Sequence, residues 1–298
     1  MLEHGCNDLS AAAGQAEELS IATRYQRFAA RGWGPLEAPP VLALHGWLDN
    51  AASFDALAPL LPGCRIVALD LAGHGCSDWR PPGMHYHFVD FVEDVVRVAD
   101  ALAWERFSLL GHSLGAAVAS CTAAVIRARV RRLALIEGLG PLSRAPEDGP
   151  AAHAQAIRQM GRLAEKRPSV YSDLDAAARA RESAGDLSHA AARRLSARGT
   201  RAVEGGLSWR SDPRLTFRSP QYLSEPQVLA YLRAIRAPVR LVLADRGMLS
   251  DRAGMPARLA AVPQLAVQRL AGGHHLHMDA PTPVAEALAG FLSAAEGA

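Results

Sequence analysis

Paired cysteines, long apolar runs and lysine are all scarce in this chain of 298 residues. None of its four cysteines belongs to a C-x-x-C pair, so we expect reduced thiols rather than a disulfide framework or a zinc site. No stretch approaches the roughly 20 uninterrupted apolar residues of a membrane span. The first twenty residues also lack a charged start followed by an apolar run, the pattern of a secretory signal. We therefore expect a cytoplasmic protein without a membrane span.

Neither sign of charge is in large excess, because the formal net charge at pH 7 is +2 and Lys166 is the only lysine. A net charge this small argues against nucleic acid or an anionic membrane as the main partner. Hydrophobic residues make up 49% of the chain, which is enough for a full-sized core and argues against disorder. The length allows one large domain or one domain with a substantial insertion. Nothing in the sequence indicates the oligomeric state.

Short apolar runs alternate with longer amphipathic stretches in both halves of the chain. This alternation is typical of an α/β fold in which a mostly parallel sheet is flanked by helices. Six strands are predicted, at residues 41–44, 65–69, 107–110, 132–136, 239–243 and 265–270. Four helices are predicted, at residues 88–104, 114–127, 252–261 and 283–295. Two partly polar strands, at residues 19–23 and 25–30, predict an antiparallel edge.

The alternation breaks in a middle segment that is rich in alanine and arginine and poor in β-branched residues. Pro150 suits a first helical turn, and Ser172 with Asp175 forms a capping-box pattern. A structureless loop of this length is improbable inside a domain, so we predict a helical insertion. The predicted organisation is a core at residues 19–140 and 226–298, an insertion at 141–225 and a flexible N-terminal extension at 1–18.

Residues 111–115 read G-H-S-L-G, which matches G-x-S-x-G between a predicted strand and a predicted helix. A serine in this position occupies a sharp, strained turn, and Gly111 and Gly115 are small enough to let the turn close. The turn raises the Ser113 hydroxyl to the carboxyl edge of the sheet, with the helix N-terminus below the developing negative charge. Ser113 is therefore the predicted nucleophile.

A serine hydroxyl is a weak nucleophile and needs a base within hydrogen-bond reach. Residues 272–277 read G-G-H-H-L-H after the last predicted strand, and the flexible glycines allow His274 to turn back over the sheet edge. His274 is the predicted base, with His275 and His277 as alternatives. This cluster with Asp279 is also compatible with a metal site, but its spacing fits no helical ligand pair. We expect neither a metal nor a cofactor.

Residues 45–47 read H-G-W directly after the first predicted parallel strand. The residue after His-Gly in such a position offers its backbone N–H to a substrate oxyanion, so Trp47 is a predicted donor. The N–H of Leu114, next to the nucleophile, is the second predicted donor. The Trp47 side chain is alternatively a core aromatic beside a turn, which would leave the backbone role intact.

These motifs, together with D-L-A-G-H-G-C-S at residues 70–77, resemble the α/β-hydrolase superfamily in the right order, from about Leu19 to the C-terminus. The strings H-G-W-L-D-N at 45–50 and E-G-L-G-P at 137–141 are most similar to the serine hydrolase-like proteins, whose substrates are poorly defined. The resemblance implies the α/β-hydrolase fold, with the insertion forming a helical cap over the active site. Serine at position 113 differs from the aspartate of haloalkane dehalogenases and epoxide hydrolases, which disfavours those activities.

The carboxylate that orients the histidine has more than one candidate in the sequence. In most of the superfamily it follows the strand predicted at 239–243, but that position falls on Gly247. Asp245 and Asp251 lie nearby, whereas Glu137 follows the strand after the nucleophile helix, a second location that superfamily members use. Chain order does not distinguish Glu137 from Asp245. We predict Glu137, with a purely structural role in its loop as the alternative.

Together these residues predict a serine hydrolase that cleaves a small or medium carboxylic ester. Ser113 would form the acyl-enzyme, and water would release the acyl group. One alternative is hydrolysis of a carbon–carbon bond by the same three residues. Another is a receptor that keeps a vestigial hydrolase site to bind a small-molecule ligand.

Overall fold

The computed structural model describes residues 16–248 and 254–294. The strands of this part of the chain are β1 (Glu17–Ala22), β2 (Arg27–Trp33), β3 (Pro40–Leu44), β4 (Arg65–Leu69), β5 (Phe107–His112), β6 (Val130–Ile136), β7 (Val170–Tyr171), β8 (Thr200–Val203), β9 (Gly206–Trp209), β10 (Val239–Ala244) and β11 (Leu265–Leu270). Eight of them form one sheet in the order β1-β2-β4-β3-β5-β6-β10-β11. The pairs β1–β2 and β2–β4 are antiparallel, and the other neighbours are parallel. The predicted parallel sheet with an antiparallel edge is confirmed.

Helices lie on both faces of this sheet and at its carboxyl edge. They are α1 (Phe88–Ala101), α2 (Leu114–Val125), α3 (Gly149–Gly161), α4 (Leu174–Ser183), α5 (His189–Gly199), α6 (Glu225–Ala234), α7 (Met255–Ala260), α8 (Leu276–Asp279) and α9 (Pro281–Ser293). The start predicted for the helix at 252–261 falls outside the described residues. Helix α6 packs on the sheet side occupied by α2, and sequence patterning did not predict it.

Alternating side chains along the parallel strands fill two separate cores. In β3, Leu42 and Leu44 pack with the apolar faces of α1, α2 and α6. Val41 and Ala43 point to the other side and pack with α9. All four side chains are fully buried, as expected for a strand covered by helices on both faces. The two cores hold the carboxyl ends of the strands rigidly at one edge.

The middle segment, residues 141–225, contains α3, α4 and α5 as well as a small antiparallel sheet in the order β7-β9-β8. The sheet differs from the wholly helical segment that composition predicted. Its hairpin closes through Gly205, which has a φ of 83°, so a local turn outweighs the low β-propensity of the segment. Helix α4 is capped by Asp173 rather than by Ser172, while α5 follows Ser188 as its N-cap.

The predicted N-terminal extension, residues 1–18, is only partly described. Residues 1–15 of the predicted extension lie outside the described part of the chain, and β1 begins at Glu17. None of the helices in residues 16–248 and 254–294 combines the length and apolar character needed to span a membrane.

Candidate active site

Ser113 forms a strained turn between β5 and α2, with φ 51° and ψ −111°. A non-glycine residue rarely adopts a positive φ, and such strain is concentrated at functional sites. The turn is closed by tight backbone packing: a Cβ at Gly111 would lie 2.5 Å from the Gly115 carbonyl oxygen, and one at Gly115 would lie 2.0 Å from the Leu44 carbonyl oxygen. Any larger residue at position 111 or 115 would therefore clash with the backbone. The hydroxyl of Ser113 stands at the carboxyl edge of the sheet.

His274 lies on the loop after β11 and faces this serine. Its Nε2 is 2.9 Å from Ser113 Oγ, and its Nδ1 is 3.2 Å from Glu137 Oε2. A carboxylate can only accept, so Nδ1 carries the proton and Nε2 is left to accept the serine proton. The structure thus brings together the three residues that the sequence singled out as nucleophile, base and carboxylate.

The two alternative histidines are engaged elsewhere. His275 donates from Nδ1 to the Asp186 carbonyl oxygen at 2.7 Å. His277 places Nε2 2.7 Å from Ser53 Oγ, and burial lowers its pKa to about 3. Neither ring forms a hydrogen bond with Ser113.

Glu137 is buried and rigidly held directly after β6, with a φ of 49°. Its Oε1 accepts the Ala244 N–H at 2.8 Å, and its Oε2 accepts the Met248 N–H at 3.0 Å. These bonds compensate for the desolvation of the carboxylate and fix its orientation toward His274. One backbone donor at the end of β10 and one in the loop after it therefore hold a carboxylate that directly follows β6.

Asp245, the other predicted candidate for this role, binds the backbone of the histidine loop and forms no hydrogen bond with the His274 ring. Its Oδ1 accepts the Gly272 N–H at 2.9 Å, and its side chain is 52% exposed beside Arg246. Asp251 lies outside the described residues. Gly247 occupies the position where the carboxylate was first expected, and a Cβ there would lie 2.2 Å from Glu137 Oε2.

The loop after β3 holds the predicted oxyanion donor Trp47. Among the residues that the structure describes, the backbone N–H of Trp47 meets no protein acceptor, and the next residue, Leu48, has a φ of 61°. The Trp47 indole is half exposed and donates to the Leu215 carbonyl oxygen at 3.0 Å, so it contacts the middle segment rather than a core. Leu114 is the first residue of α2, where a backbone N–H has no acceptor within the helix.

Asp186, between α4 and α5, contacts the loop that carries the base. Its Oδ2 accepts the backbone N–H of His274 at 2.9 Å, and its carbonyl oxygen accepts from His275. Nearby, Ser188 Oγ donates to Asp279 Oδ1. Sequence reasoning missed Asp186, which lies 88 positions before His274 and belongs to no recognisable motif.

A cluster of ionisable side chains lies behind this site. It consists of Asp49, Arg181, His112 and His275. Asp49 Oδ1 accepts from Arg181 at 2.7 Å, while Asp49 Oδ2 lies 3.5 Å from His275 Nε2 and 3.9 Å from His112 Nδ1. Burial opposes the charge of Asp49, but His275 and Arg181 hold its pKa well below the usual range. Burial also opposes a proton on His275, but Asp49 outweighs it and raises the pKa of that ring. Burial and the neighbouring histidines lower the pKa of His112 well below its ordinary value.

Comparison with known proteins identifies the family of the fold. A family model described as the alpha/beta hydrolase fold matches residues 39–281. The chain is 34% identical to serine hydrolase-like protein 2 of Homo sapiens, over 95% of this chain and 96% of that protein. It is 33% identical to a serine hydrolase-like protein of Danio rerio, over 93% of this chain and 88% of that protein.

Two solved structures share the fold and more than a quarter of the aligned sequence. A hypothetical protein of Pseudomonas aeruginosa PAO1 is 44% identical and superposes with a TM-score of 0.90, covering 93% of this chain and all of that one (100%). A thioesterase domain from the curacin biosynthetic pathway is 28% identical, with a TM-score of 0.81 and coverage of 91% of this chain and 98% of that one.

Proposed function

The chain belongs to the α/β-hydrolase fold family, and we propose that it is a serine hydrolase that cleaves a small or medium carboxylic ester through an acyl-enzyme on Ser113. The observation that carries the proposal is the 2.9 Å contact between Ser113 Oγ and His274 Nε2 at a strained strand-to-helix turn. A nucleophile within hydrogen-bond reach of an oriented base is the arrangement that acyl transfer requires.

In the first half of the proposed reaction, Ser113 Oγ attacks the ester carbonyl carbon while His274 Nε2 takes the hydroxyl proton. Glu137 stabilises the resulting imidazolium through the 3.2 Å contact at Nδ1. The backbone N–H groups of Trp47 and Leu114 donate to the oxyanion. In comparable enzymes, each such donor increases kcat by roughly 10²–10³-fold. His274 then protonates the leaving alcohol, and the acyl group stays bonded to Ser113.

In the second half, water attacks the acyl-enzyme. His274 Nε2 takes a proton from that water and returns it to Ser113 Oγ as the carbon–oxygen bond to the serine breaks. The products are a carboxylic acid and an alcohol. The reaction needs no metal or cofactor, because the serine is activated by the base alone.

We propose that residues 141–225 form a cap over a hydrolase core at 19–140 and 226–298. Three contacts support this role: Leu215 accepts from the Trp47 indole, Asp186 binds the His274 backbone, and Arg181 binds Asp49. Each contact joins the segment to a loop at the carboxyl edge of the sheet, where α/β folds bind their ligands.

Exposed apolar side chains support an apolar acyl group. Trp47, Leu142 and Met248 lie just beyond the carboxyl ends of β3, β6 and β10, with exposed fractions of 53%, 61% and 72%. Large apolar groups exposed on the loops that follow these strands favour neutral, hydrophobic substrate chains. A thioester is the second candidate bond, because the 28%-identical relative is a thioesterase domain and thioesters follow the same two-step path.

The test is turnover of a chain-length panel of esters, from acetate to laurate, with matched acyl thioesters and product analysis. We expect multiple turnover with release of acid and alcohol. Leu142→Ala should change the chain-length preference while leaving acetate hydrolysis within about twofold. The matched control is Val125→Ala, an equally exposed apolar position at the end of α2, which should change neither. Cleavage restricted to a carbon–carbon bond, or binding without turnover, would overturn the proposal.

A further inference from the structure

Three buried side chains that the proposed reaction does not use converge behind Ser113 and His274. They are Asp49, His112 and His275, and one donor atom from each lies within 4.8 Å of the other two. The closest approaches are 3.5 Å between His275 Nε2 and Asp49 Oδ2, and 3.9 Å between His112 Nδ1 and the same oxygen. All three residues are less than a tenth exposed.

Backbone carbonyls fix which nitrogen of each histidine carries its proton. His112 Nε2 donates to the His274 carbonyl oxygen at 2.9 Å, and His275 Nδ1 donates to the Asp186 carbonyl oxygen at 2.7 Å. The unprotonated nitrogen of each neutral ring therefore faces the Asp49 carboxylate. Donation of the second ring N–H to a backbone carbonyl is the support that metal-binding histidines usually have.

Within the described part of the chain, one oxygen of the carboxylate and one ring nitrogen face this point without a hydrogen-bond partner. Among the side chains that the structure describes, Asp49 Oδ2 and His112 Nδ1 are buried and have no hydrogen-bond partner. Arg181 balances the carboxylate at Oδ1, whereas Oδ2 and the facing nitrogen of His112 lack a partner among the described residues, and a cation between them would supply one.

Gly46 leaves room at the same point. A Cβ on residue 46 would lie 2.8 Å from Asp49 Oδ2 and 3.0 Å from His112 Nδ1. The space that any larger residue would fill is therefore adjacent to two of the three donors.

We propose that Asp49, His112 and His275 bind one divalent transition-metal cation of the Zn²⁺ type. Two imidazole nitrogens and one carboxylate oxygen form a common ligand set for this class, with bond lengths of about 2.0–2.1 Å. A tetrahedral ion with such bonds needs donors about 3.4 Å apart, so the separations of 3.5 and 3.9 Å, and a third of at most 4.8 Å between the two rings, must close by up to about 1.4 Å. Asp49 Oδ1 remains bound to Arg181, which orients the carboxylate.

The cation would join two loops and the end of β5 without taking part in acyl transfer. Asp49 lies on the loop after β3, His112 immediately precedes Ser113, and His275 immediately follows His274. Binding at this point would hold the nucleophile, the base and the Trp47 loop to one another. The expected consequence is higher stability of the folded chain.

The test uses the purified full-length protein, freed of metal with a chelator and titrated with Co²⁺ and Zn²⁺. We expect one equivalent of Co²⁺ to give the visible absorption bands of a tetrahedral ion, and Zn²⁺ to displace it. At a concentration of Zn²⁺ about 100-fold above Kd, Tm should rise by roughly 5 °C or more. Asp49→Asn and His275→Gln should each abolish the bands and the rise in Tm.

His189→Gln is the matched control, because His189 lies at the surface between Asp175 and Glu182 and is a plausible adventitious ligand. This variant should bind Co²⁺ as the parent does. The proposal is overturned if the parent shows no bands and no rise in Tm, which would mean that a proton on His275 and the charge of Arg181 alone balance Asp49. Bands that disappear only in His189→Gln, or that survive all three substitutions, would also overturn it.

Discussion

The carboxylate of Glu137 occupies the space that a side chain at position 247 would need, since a Cβ on Gly247 would lie 2.2 Å from Glu137 Oε2. Glu137 follows β6, and Gly247 lies in the loop after the neighbouring strand β10. The two strands pair in parallel, so residues just beyond their ends reach the same point. The carboxylate of Glu137 thus lies at the position predicted for a carboxylate from the loop after β10. The end of β10 and that loop contribute the backbone N–H groups of Ala244 and Met248 instead.

The first prediction concerns the identity of the orienting carboxylate. Glu137→Gln should lower kcat by on the order of 10⁴, because an amide cannot stabilise the imidazolium that forms on His274. Asp245→Asn should retain most of the activity, since Asp245 binds the Gly272 N–H and Arg246 and is half exposed. Ester turnover of both variants, after circular dichroism has shown that they fold, is the measurement. Collapse of turnover in Asp245→Asn alone would make Glu137 structural.

The second prediction tests the packing of Gly247 directly. Gly247→Ala should push the Glu137 carboxylate off His274 and lower kcat by about 10²-fold, with a smaller change in KM. The control is Gly149→Ala, because a Cβ at Gly149 meets no heavy atom within 4 Å. The measurements are steady-state kinetics and Tm of both variants. Equal activity of the two alanine variants would show that the carboxylate position is not critical.

The third prediction concerns Asp186, which we expect to position the base. Asp186→Ala frees the backbone N–H of His274, and kcat should fall by about 10–10²-fold while KM changes little. Asp186→Asn, which keeps a side-chain oxygen as acceptor, should recover part of the loss. Asp173→Ala removes another carboxylate that binds a backbone N–H, at the start of α4, and serves as the control for general destabilisation. If Asp173→Ala lowers kcat as much as Asp186→Ala does, the loss reflects general destabilisation and Asp186 does not position His274.

The fourth prediction concerns pH and the packing of α4 against α5. Hydrogen bonds to Glu182 and Asp175 raise the pKa of His189 above its ordinary 6.5. The folded chain therefore holds this proton more tightly than the unfolded chain does. The stabilisation is fully present below the ordinary pKa and is lost as the pH rises through the raised value. The Tm difference between the parent and His189→Gln should thus be larger at about pH 5.5 than at about pH 9. An equal difference at both pH values would contradict this account.

Local signals were sufficient to predict much of the fold and part of the site. The parallel strands are short, apolar and separated by amphipathic helices, so periodicity alone located them. The turn at Ser113 was predictable because its whole motif lies within five residues, although the contact that requires a glycine at position 115 is made with Leu44 of a neighbouring strand. His274 was predictable because only a flexible loop after the last strand can return a base to that edge.

The remainder depends on contacts between distant segments, which a single sequence does not encode in any local pattern. Chain order allowed both Glu137 and Asp245, and only the pairing of β6 with β10 distinguishes their positions. Asp186 reaches His274 through the packing of the middle segment on the core, which composition cannot specify. The β8–β9 hairpin was missed because its turn rests on Gly205 in a stretch otherwise poor in β-branched residues.

The most direct test of the proposed serine mechanism is covalent labelling with a fluorophosphonate probe, followed by mass spectrometry of the modified peptide. We expect a single phosphonylated residue, Ser113, because His274 Nε2 activates this hydroxyl at 2.9 Å. Ser113→Ala should abolish labelling and lower ester turnover by on the order of 10⁶. Labelling at a different serine, or full turnover by the Ser113→Ala variant, would contradict the account.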